Sequence, residues 1–437
     1  MSLLLGLDVG SSSVIAGLLH GPQVLAQSPR EFFPTRFTGP RAELDPEVLL
    51  AAIRRAIAHL GPRAKEIDAI ALAVMAATWV AMDKNGNPLT PIVTHQDRRS
   101  VVEAHDLETR MRAKRHLMLC GSRPFPGGIS STSWAWYLRH QRASLKRANL
   151  VGPISTFIIR QFTGARVVDP SNASFTGLYH TLNLSGWSPE LCANLGVSAS
   201  LLPEVLESDR VAGHVTPEAA RRFGLRNGTP TLAGIVDGST GMLLAGAKTG
   251  QLFNVVGSTD VLALCTEKPR PHPQLLTRAL GVKGKWLQVN TLAAVASAIY
   301  WARAQLFPEI SIKNFPALLH RLSKQGAAAA GTVQFAPYLA GERMNIDQKQ
   351  GAFTGLTLAT TREQMLAAII ESLAQASAAR LPLLEGTGTK LLRTVAVSGG
   401  ADRIDELMRR DWPGRWRYRS VTEATLRGLG TLTPRER

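Results

Sequence analysis

A chain of 437 residues with 45% hydrophobic and 19% charged residues can bury substantial cores, and its length points to about two domains. That composition excludes extended disorder, and the longest mainly apolar run, residues 69–82, is too short to cross a bilayer. Cys120, Cys192 and Cys265 are spaced for neither a disulfide framework nor a zinc site and fit a cytoplasmic protein, while the net charge of +17 admits nucleic acid, an anionic membrane surface or a polyanionic small substrate.

The N-terminus, MSLLLGLDVG, lacks a basic region and is interrupted by Asp8, so it reads as a strand and not as a signal peptide. LLLGLDVG, SSS and VIAGLL follow one another as strand, hydroxyl-rich turn and strand. DPEVLLAAIRRAIAHLG (45–61) has apolar residues at helical spacing between an acidic start and a glycine stop. IDAIALAVMA predicts a strand, and the Asn-Gly of DKNGNPL a hairpin turn. The turn-rich RNGTPTLAGIVDG predicts a boundary near Thr229, dividing 1–229 from 230–437.

LAGIVDGSTGMLLAG then sets one carboxylate, Asp237, among small and apolar residues ringed by glycines. It either caps the helix that follows or is a buried acid with chemical work, since an unpaired buried carboxylate is expensive. QLFNVVGSTDVLALC repeats strand, Gly-Ser-Thr turn and strand, which suggests an internal duplication. Residues 290–307 and 361–384 predict helices, GAAAAG (326–331) a short linker, and RTVAVSGGADRIDELMRR strand, glycine turn and helix. The basic clusters MRAKRH and MRRDWPGRWRYR carry no zinc-finger or RNP-type pattern, so solvated arginine surface is expected rather than nucleic-acid binding.

Gly and Ser/Thr in a tight turn offer backbone N–H groups and hydroxyls to an anion, so two such turns facing each other across a cleft would grip a polyphosphate. Asp8, ending the first strand, suits Mg²⁺, which takes hard oxygen ligands and keeps several waters. Glycines in VSGGAD would let a flat base and ribose lie against the backbone. There is no GxGxxG after the first strand and no GxxxxGK[ST], so neither a Rossmann site nor a P-loop is supported.

In this order the motifs resemble those of the FGGY carbohydrate kinases of the actin-like ATPase superfamily, over nearly the whole chain. LLLGLDVGSSS is similar to the family's first phosphate motif, VAMDKNGNPLTPIVTHQDRRS to its hairpin and Trp-x-Asp-x-Arg-like segment, and VVDPSNASFTGLY to its Thr-Asp-x-Ser-x-Ala-Ser stretch. GWSPELCANLGVSASLLPEV follows in its place, and LAGIVDGSTG carries the position of the catalytic aspartate. VVGSTDVL resembles the second phosphate motif, PYLAGERMNID the Gly-Glu-Arg segment, and VAVSGGAD with VTEATLRGLG the adenosine region.

The resemblance implies an α/β fold of two ribonuclease-H-like (actin-like ATPase) domains with an interdomain cleft. It implies an ATP- and Mg²⁺-dependent kinase acting on a small sugar or polyol. Asp237 would be the general base and Asp8 the metal ligand. Gly10, Ser11, Ser12, Ser13, Gly257, Ser258 and Thr259 would hold ATP phosphates, and Gly399 and Gly400 the adenosine. Ala77, Thr78, Trp79, Gln96, Asp97, Asp237 and Gly238 would line the substrate site, with His95 as a further hydrogen-bonding residue. The domain holding Asp237, the second phosphate turn and the adenosine motif would be 230–437. A homodimer is compatible with these features; membrane attachment is not expected.

The chain also departs from the family pattern. Where members carry paired side chains such as Met-His or Arg-Glu, it has Ala76 and Ala77, and where Asn or Gln often follows the aspartate it has Gly238. The Gly-Ser-Thr order and short length are closer to the short D-ribulose and D-xylulose kinases, so a pentulose is the favoured substrate. Asp260 beside the second turn would repel phosphates unless a metal intervened. Glu342 and Arg343 are read as a hinge ion pair, and Trp134 and Trp136 as packing residues. The rival readings are a catalytically weak sugar- or nucleotide-binding regulatory relative and a nucleic-acid-associated protein.

Overall fold

The computed structural model describes residues 3–399 and 404–436. They fall into two units, the first comprising Met1–Lys248, Cys265–Gln288 and Glu423–Arg437, the second Thr249–Leu264 and Val289–Thr422.

In the first unit β1 (Leu3–Val9) and β2 (Ser13–His20) form an antiparallel hairpin with Val9 opposite Val14. β3 (Ala69–Val74) is buried along its whole length and runs parallel to β1. A strand covered on both faces reads as the continuous apolar run AIALAV rather than as an alternation. β4 (Ile235–Val236) pairs in parallel with the other side of β3. The main path of the sheet is Val211–His214, Pro230–Leu232, β3, β1, β2 and Gln23–Gln27. Helix α1 (Pro46–Ala58) begins where predicted: Asp45 accepts from the Glu47 and Val48 amides, and the helix buries Leu49, Leu50, Ile53 and Ile57. Three further helices and one strand of this unit bear on function: α2 (Pro170–Ser174), α3 (Asp237–Leu244), β5 (Leu276–Ala279) and α4 (Ala424–Leu429).

The break expected near Thr229 lies inside the first unit. Pro230–Leu232 and β4 both hydrogen-bond to β3, so the segment leading to Asp237 completes the first sheet, and the second unit begins at Thr249.

The second unit repeats the local plan. Leu252–Val256 and Asp260–Thr266 form a hairpin, Thr394–Gly399 runs parallel to the first of these strands, and Arg417–Ser420 runs parallel to Thr394–Gly399. Each unit thus holds a hairpin whose first strand has a parallel neighbour, which accounts for the repeated strand–turn–strand motif. The helix expected over 290–307 starts later, at Ala296, and residues 290–292 finish the strand Trp286–Leu292. The reason is a tertiary contact. The carbonyls of Ser258 and Gly257 receive the Val295 and Ala296 amides at 2.8 and 3.1 Å, which fixes the helix start there. The helix expected over 361–384 is two, Arg362–Ala378, opened by a Thr361–Gln364 capping box, and Arg380–Glu385. Among the described residues no helix is long and apolar enough to cross a membrane.

Candidate active site

Asp8 lies near the end of β1, and Asp237 directly follows β4. Both strands pair with β3, so the two carboxylates stand at the same, C-terminal, end of a parallel trio, with backbones ~10 Å apart. The outer ends of parallel strands are where open α/β sheets hold ligands. Burial, and next the Asp237 carboxylate, push the Asp8 carboxyl up to about 7, against opposing pulls from Arg30 and a hydrogen bond from Thr425. The two acids are electrostatic neighbours.

Asp237 is the first residue of α3 and not its cap. Val236 holds the cap position without a side-chain bond. The Asp237 carboxylate accepts the amide of Gly238 at 2.6 Å, and the Thr240 hydroxyl donates to the Asp237 carbonyl at 2.5 Å. The helix-cap alternative is therefore set aside.

The DPSNAS stretch explains how this end of the sheet is held. Asp169 is fully buried and caps α2, accepting from the Ser171 and Asn172 amides, the Ser171 and Ser208 hydroxyls and the Asn172 side-chain amide. Burial outweighs these donors and pushes its carboxyl up to about 6. The Ser171 hydroxyl oxygen in turn accepts the Val236 amide at 2.9 Å, one residue before Asp237. Ser174 Oγ accepts the Ala279 amide at 3.0 Å, one residue after Arg278. One short helix thus ties two distant segments together.

Arg278, on β5, was not singled out in the sequence. Its guanidinium is 3% exposed, donates from Nη1 to Ser239 Oγ at 2.5 Å and to the Ala279 carbonyl at 3.4 Å, and lies 5.6 Å from the Phe175 ring centre. Burial lowers it to about 10 despite the opposing pull of Asp237 and Asp169, so it remains a cation at neutral pH. The available signal was the lone charge within the apolar LLTRAL.

The first glycine turn is folded on itself, with the Gly10 amide on the Ser13 carbonyl at 3.0 Å. Ser11 and Ser12 are exposed at its tip, whereas Ser13 is buried, its hydroxyl accepting from Arg30 at 3.4 Å. The VTEATLRGLG segment, compared with an adenosine region, returns to the first unit as α4. Thr425 bonds Asp8, and Gly428 lies so close to α3 that a Cβ there would stand 2.2 Å from the Thr240 carbonyl.

In the second unit Gly257 and Ser258 are exposed at their turn, and the Gly257 amide bonds the Thr259 carbonyl at 2.8 Å. Gly399 has φ +81°, and a Cβ on it would lie 2.1 Å from the Val256 carbonyl oxygen. Gly400 lies outside the described residues. Asp260, expected to trouble bound phosphates, points inward instead: it is fully buried, ion-paired with Arg380 at 2.6 Å and bonded to the Asn254 side chain at 2.6 Å.

The expected substrate residues divide. Ala76 and Ala77 directly follow β3 and are joined by a cis peptide. Thr78 is buried, and its hydroxyl accepts the Ile154 amide at 3.0 Å. Trp79 belongs to the core, its indole N–H on Ser133 Oγ at 2.8 Å and its ring edge-on to Tyr137 at 5.0 Å. Asp97 is likewise taken up internally, by Arg99 at 2.6 Å and the Ala42 amide at 2.8 Å. Gln96 is exposed and His95 half-buried. Trp134 stacks on Trp79, while Trp136 lies under the guanidinium groups of Arg41 and Arg99. Glu342 pairs with Lys349 at 3.6 Å and accepts the Met344 amide. Among the described residues no cluster of three or more acidic, histidine or cysteine side chains is arranged to hold a metal.

Comparison with known proteins gives a consistent result. Residues 3–243 match the N-terminal domain, and residues 252–410 the C-terminal domain, of the FGGY family of carbohydrate kinases. The chain is 26% identical to a xylulose kinase of Klebsiella pneumoniae over 420 residues, covering 94% of this chain and 84% of the relative. It is also 26% identical to a gluconokinase of Bacillus subtilis (strain 168) over 387 residues, covering 85% of this chain and 74% of the relative. The crystal structure of xylulose kinase from Rhodospirillum rubrum superimposes with a TM-score of 0.84 at 25% identity, covering 98% of this chain and 88% of the other.

Proposed function

This chain belongs to the FGGY family of carbohydrate kinases, and from that premise we propose that it transfers the γ-phosphate of ATP to a hydroxyl of a pentulose such as D-ribulose or D-xylulose. The observation that carries the reading is the juxtaposition of Asp237 and Asp8 at the ends of parallel strands on either side of β3. Asp237 is the general base: it takes the proton of the acceptor hydroxyl as that oxygen attacks the γ-phosphorus and ADP leaves. Phosphoryl transfer demands positioning more than covalent help, and the Asp169–Ser171–Val236 chain supplies it by holding the backbone at Asp237.

Asp8 fits a magnesium ion, which needs few protein carboxylates and keeps its remaining places for water and phosphate oxygens. A carboxylate whose proton affinity is raised by burial, and next by a neighbouring carboxylate, is a setting that such a cation relieves. When bound, the ion supplies the positive charge that offsets the phosphates. Residues 10–13 and 257–259 are the proposed phosphate contacts, and Gly399 with Gly400 the proposed adenosine contacts. The xylulose kinase relatives favour a ketose acceptor, and Ala76 and Ala77 leave that choice to other side chains. Buried free cysteines suit a reducing compartment, so the reaction is assigned to the cytoplasm.

The test is ADP release with Mg²⁺-ATP across pentuloses, hexuloses, polyols, glycerol and D-gluconate. Highest kcat/KM for a pentulose is expected. Efficient glycerol turnover that no ketose exceeds would overturn the substrate assignment, and ATP binding with no transfer to any acceptor would favour the regulatory relative.

A further inference from the structure

Arg278 takes no part in the transfer just described, yet it stands beside the residue that does. A buried guanidinium is costly unless it is paired or used. Arg278 acts on Asp237 and Asp169 through space, and its hydrogen bonds go from Nη1 to Ser239 and to the Ala279 carbonyl. Among the described residues, both of these bonds leave from Nη1.

The position of Nη2 is informative. It lies 3.3 Å from the point where a side chain on Gly238 would begin, so the guanidinium fills the space next to Asp237 that residue 238 leaves vacant. Its placement is rigid. Ser174 fixes the neighbouring Ala279 amide, Ser239 takes one arm of the fork, and the Phe175 ring centre lies 5.6 Å from the guanidinium carbon.

Chemistry narrows what such a group reads. A guanidinium is donor-only, so its complement is an oxygen that only accepts. Asp8, Asp169 and Asp237 already surround this end of the sheet, so an acidic acceptor would add a fourth carboxylate beside Arg278. A ketone oxygen accepts without adding charge. A polyol hydroxyl brings an O–H as well, which must find an acceptor other than the guanidinium, and it is penalised wherever that O–H is left unmatched.

We infer that Arg278 is a specificity-determining residue that donates from Nη2 to the carbonyl oxygen of an open-chain ketose, selecting ketoses over polyols of equal length. The inference rests on the sugar-kinase reading above and deepens it.

The experiment compares kcat/KM for D-xylulose and D-ribulose with that for xylitol, ribitol and D-gluconate, in the wild-type protein, Arg278→Met and Arg278→Lys. Mg²⁺-ATP affinity and melting temperature report folding. Wild type should favour ketose over polyol by about tenfold or more. Arg278→Met should lose about 10²-fold on ketoses and less than about threefold on polyols, collapsing the ratio, while Arg278→Lys should retain part of it. An equal loss on both classes in the two variants would mark Arg278 as structural only. Preference for D-gluconate that disappears in Arg278→Met would replace the ketone with a carboxylate. Should the wild type phosphorylate no acceptor, the sugar-kinase reading falls; calorimetric ketose binding then judges Arg278, and unchanged binding in both variants overturns its role.

Discussion

Asp8 and Asp237 approach one another through a shared neighbour: Asp8 is in register with Ala73 on one side of β3, and Val236, the residue before Asp237, with Val74 on the other. Two residues far apart in sequence are brought to one end of a sheet by backbone pairing alone. Their side chains then set each other's electrostatics.

Replacing Asp237 by Asn keeps its shape and removes its ability to take a proton at neutral pH. General-base assistance is worth about 10²- to 10⁴-fold, so kcat should fall by that much. Because Val236 and not Asp237 holds the cap position of α3, stability should change by less than about 1 kcal/mol. Both are read on one preparation, by steady-state rates and thermal melting. Early melting with normal turnover would move the base elsewhere.

The glycines of the second unit separate a structural from a binding requirement. Gly399→Ala forces a side chain onto a positive φ and into the Val256 carbonyl, and should destabilise by at least about 1–3 kcal/mol. A Cβ on Gly257 would meet no atom within 4 Å. Gly257→Val should therefore melt like wild type but bind Mg²⁺-ATP about tenfold or more weakly, about 1.4 kcal/mol. Normal nucleotide affinity in a calorimetric titration would reduce this turn to a simple hairpin.

The buried Asp260–Arg380 pair makes a prediction about stability alone. Arg380→Met leaves a fully buried carboxylate with Asn254 as its side-chain partner among the described residues, and should cost about 3–5 kcal/mol in urea unfolding. Adding Asp260→Leu should recover much of that loss, since removing both charges also removes the desolvation penalty. Failure of the double variant to recover would mean that the pair's further bonds to Ser377 carry the effect.

Asp169 predicts a pH dependence. Its folded pKa, about 6, lies above the ordinary 3.8, so the native state binds this proton more tightly than the unfolded chain. The group therefore adds stability as pH falls through about 6 and loses that contribution as pH rises through it. Wild type should gain on Asp169→Asn between about pH 7.5 and about pH 5, measured as the difference in their urea midpoints. A difference that stays flat, or reverses, would show that the five donors hold the carboxylate ionised throughout.

Much of this protein is written locally. The β1–β2 hairpin, the capped α1, the β3 run and the recurring strand–turn–strand unit, with its Gly-Ser-Ser and Gly-Ser-Thr turns, follow from short-range periodicity and turn chemistry. The order of motifs carried the family. What only the tertiary structure decided depends on partners distant in the chain. LAGIVDG reads as the start of a second domain until β4 is seen paired to β3, because strand pairing over long separations leaves no local mark. Trp79 and Asp97 look like site residues because they stand near the positions where the family binds substrate, yet Ser133, Tyr137, Ala42 and Arg99 draw them inward. Asp260 looks like a liability until Arg380 neutralises it. Arg278 has no motif around it, and its nearness to Asp237 arises because Ser171 and Ser174, on one short helix, grip two separate strands. A sequence specifies which side chains can donate, accept or carry charge; which of them meet is set by burial and pairing across the whole fold.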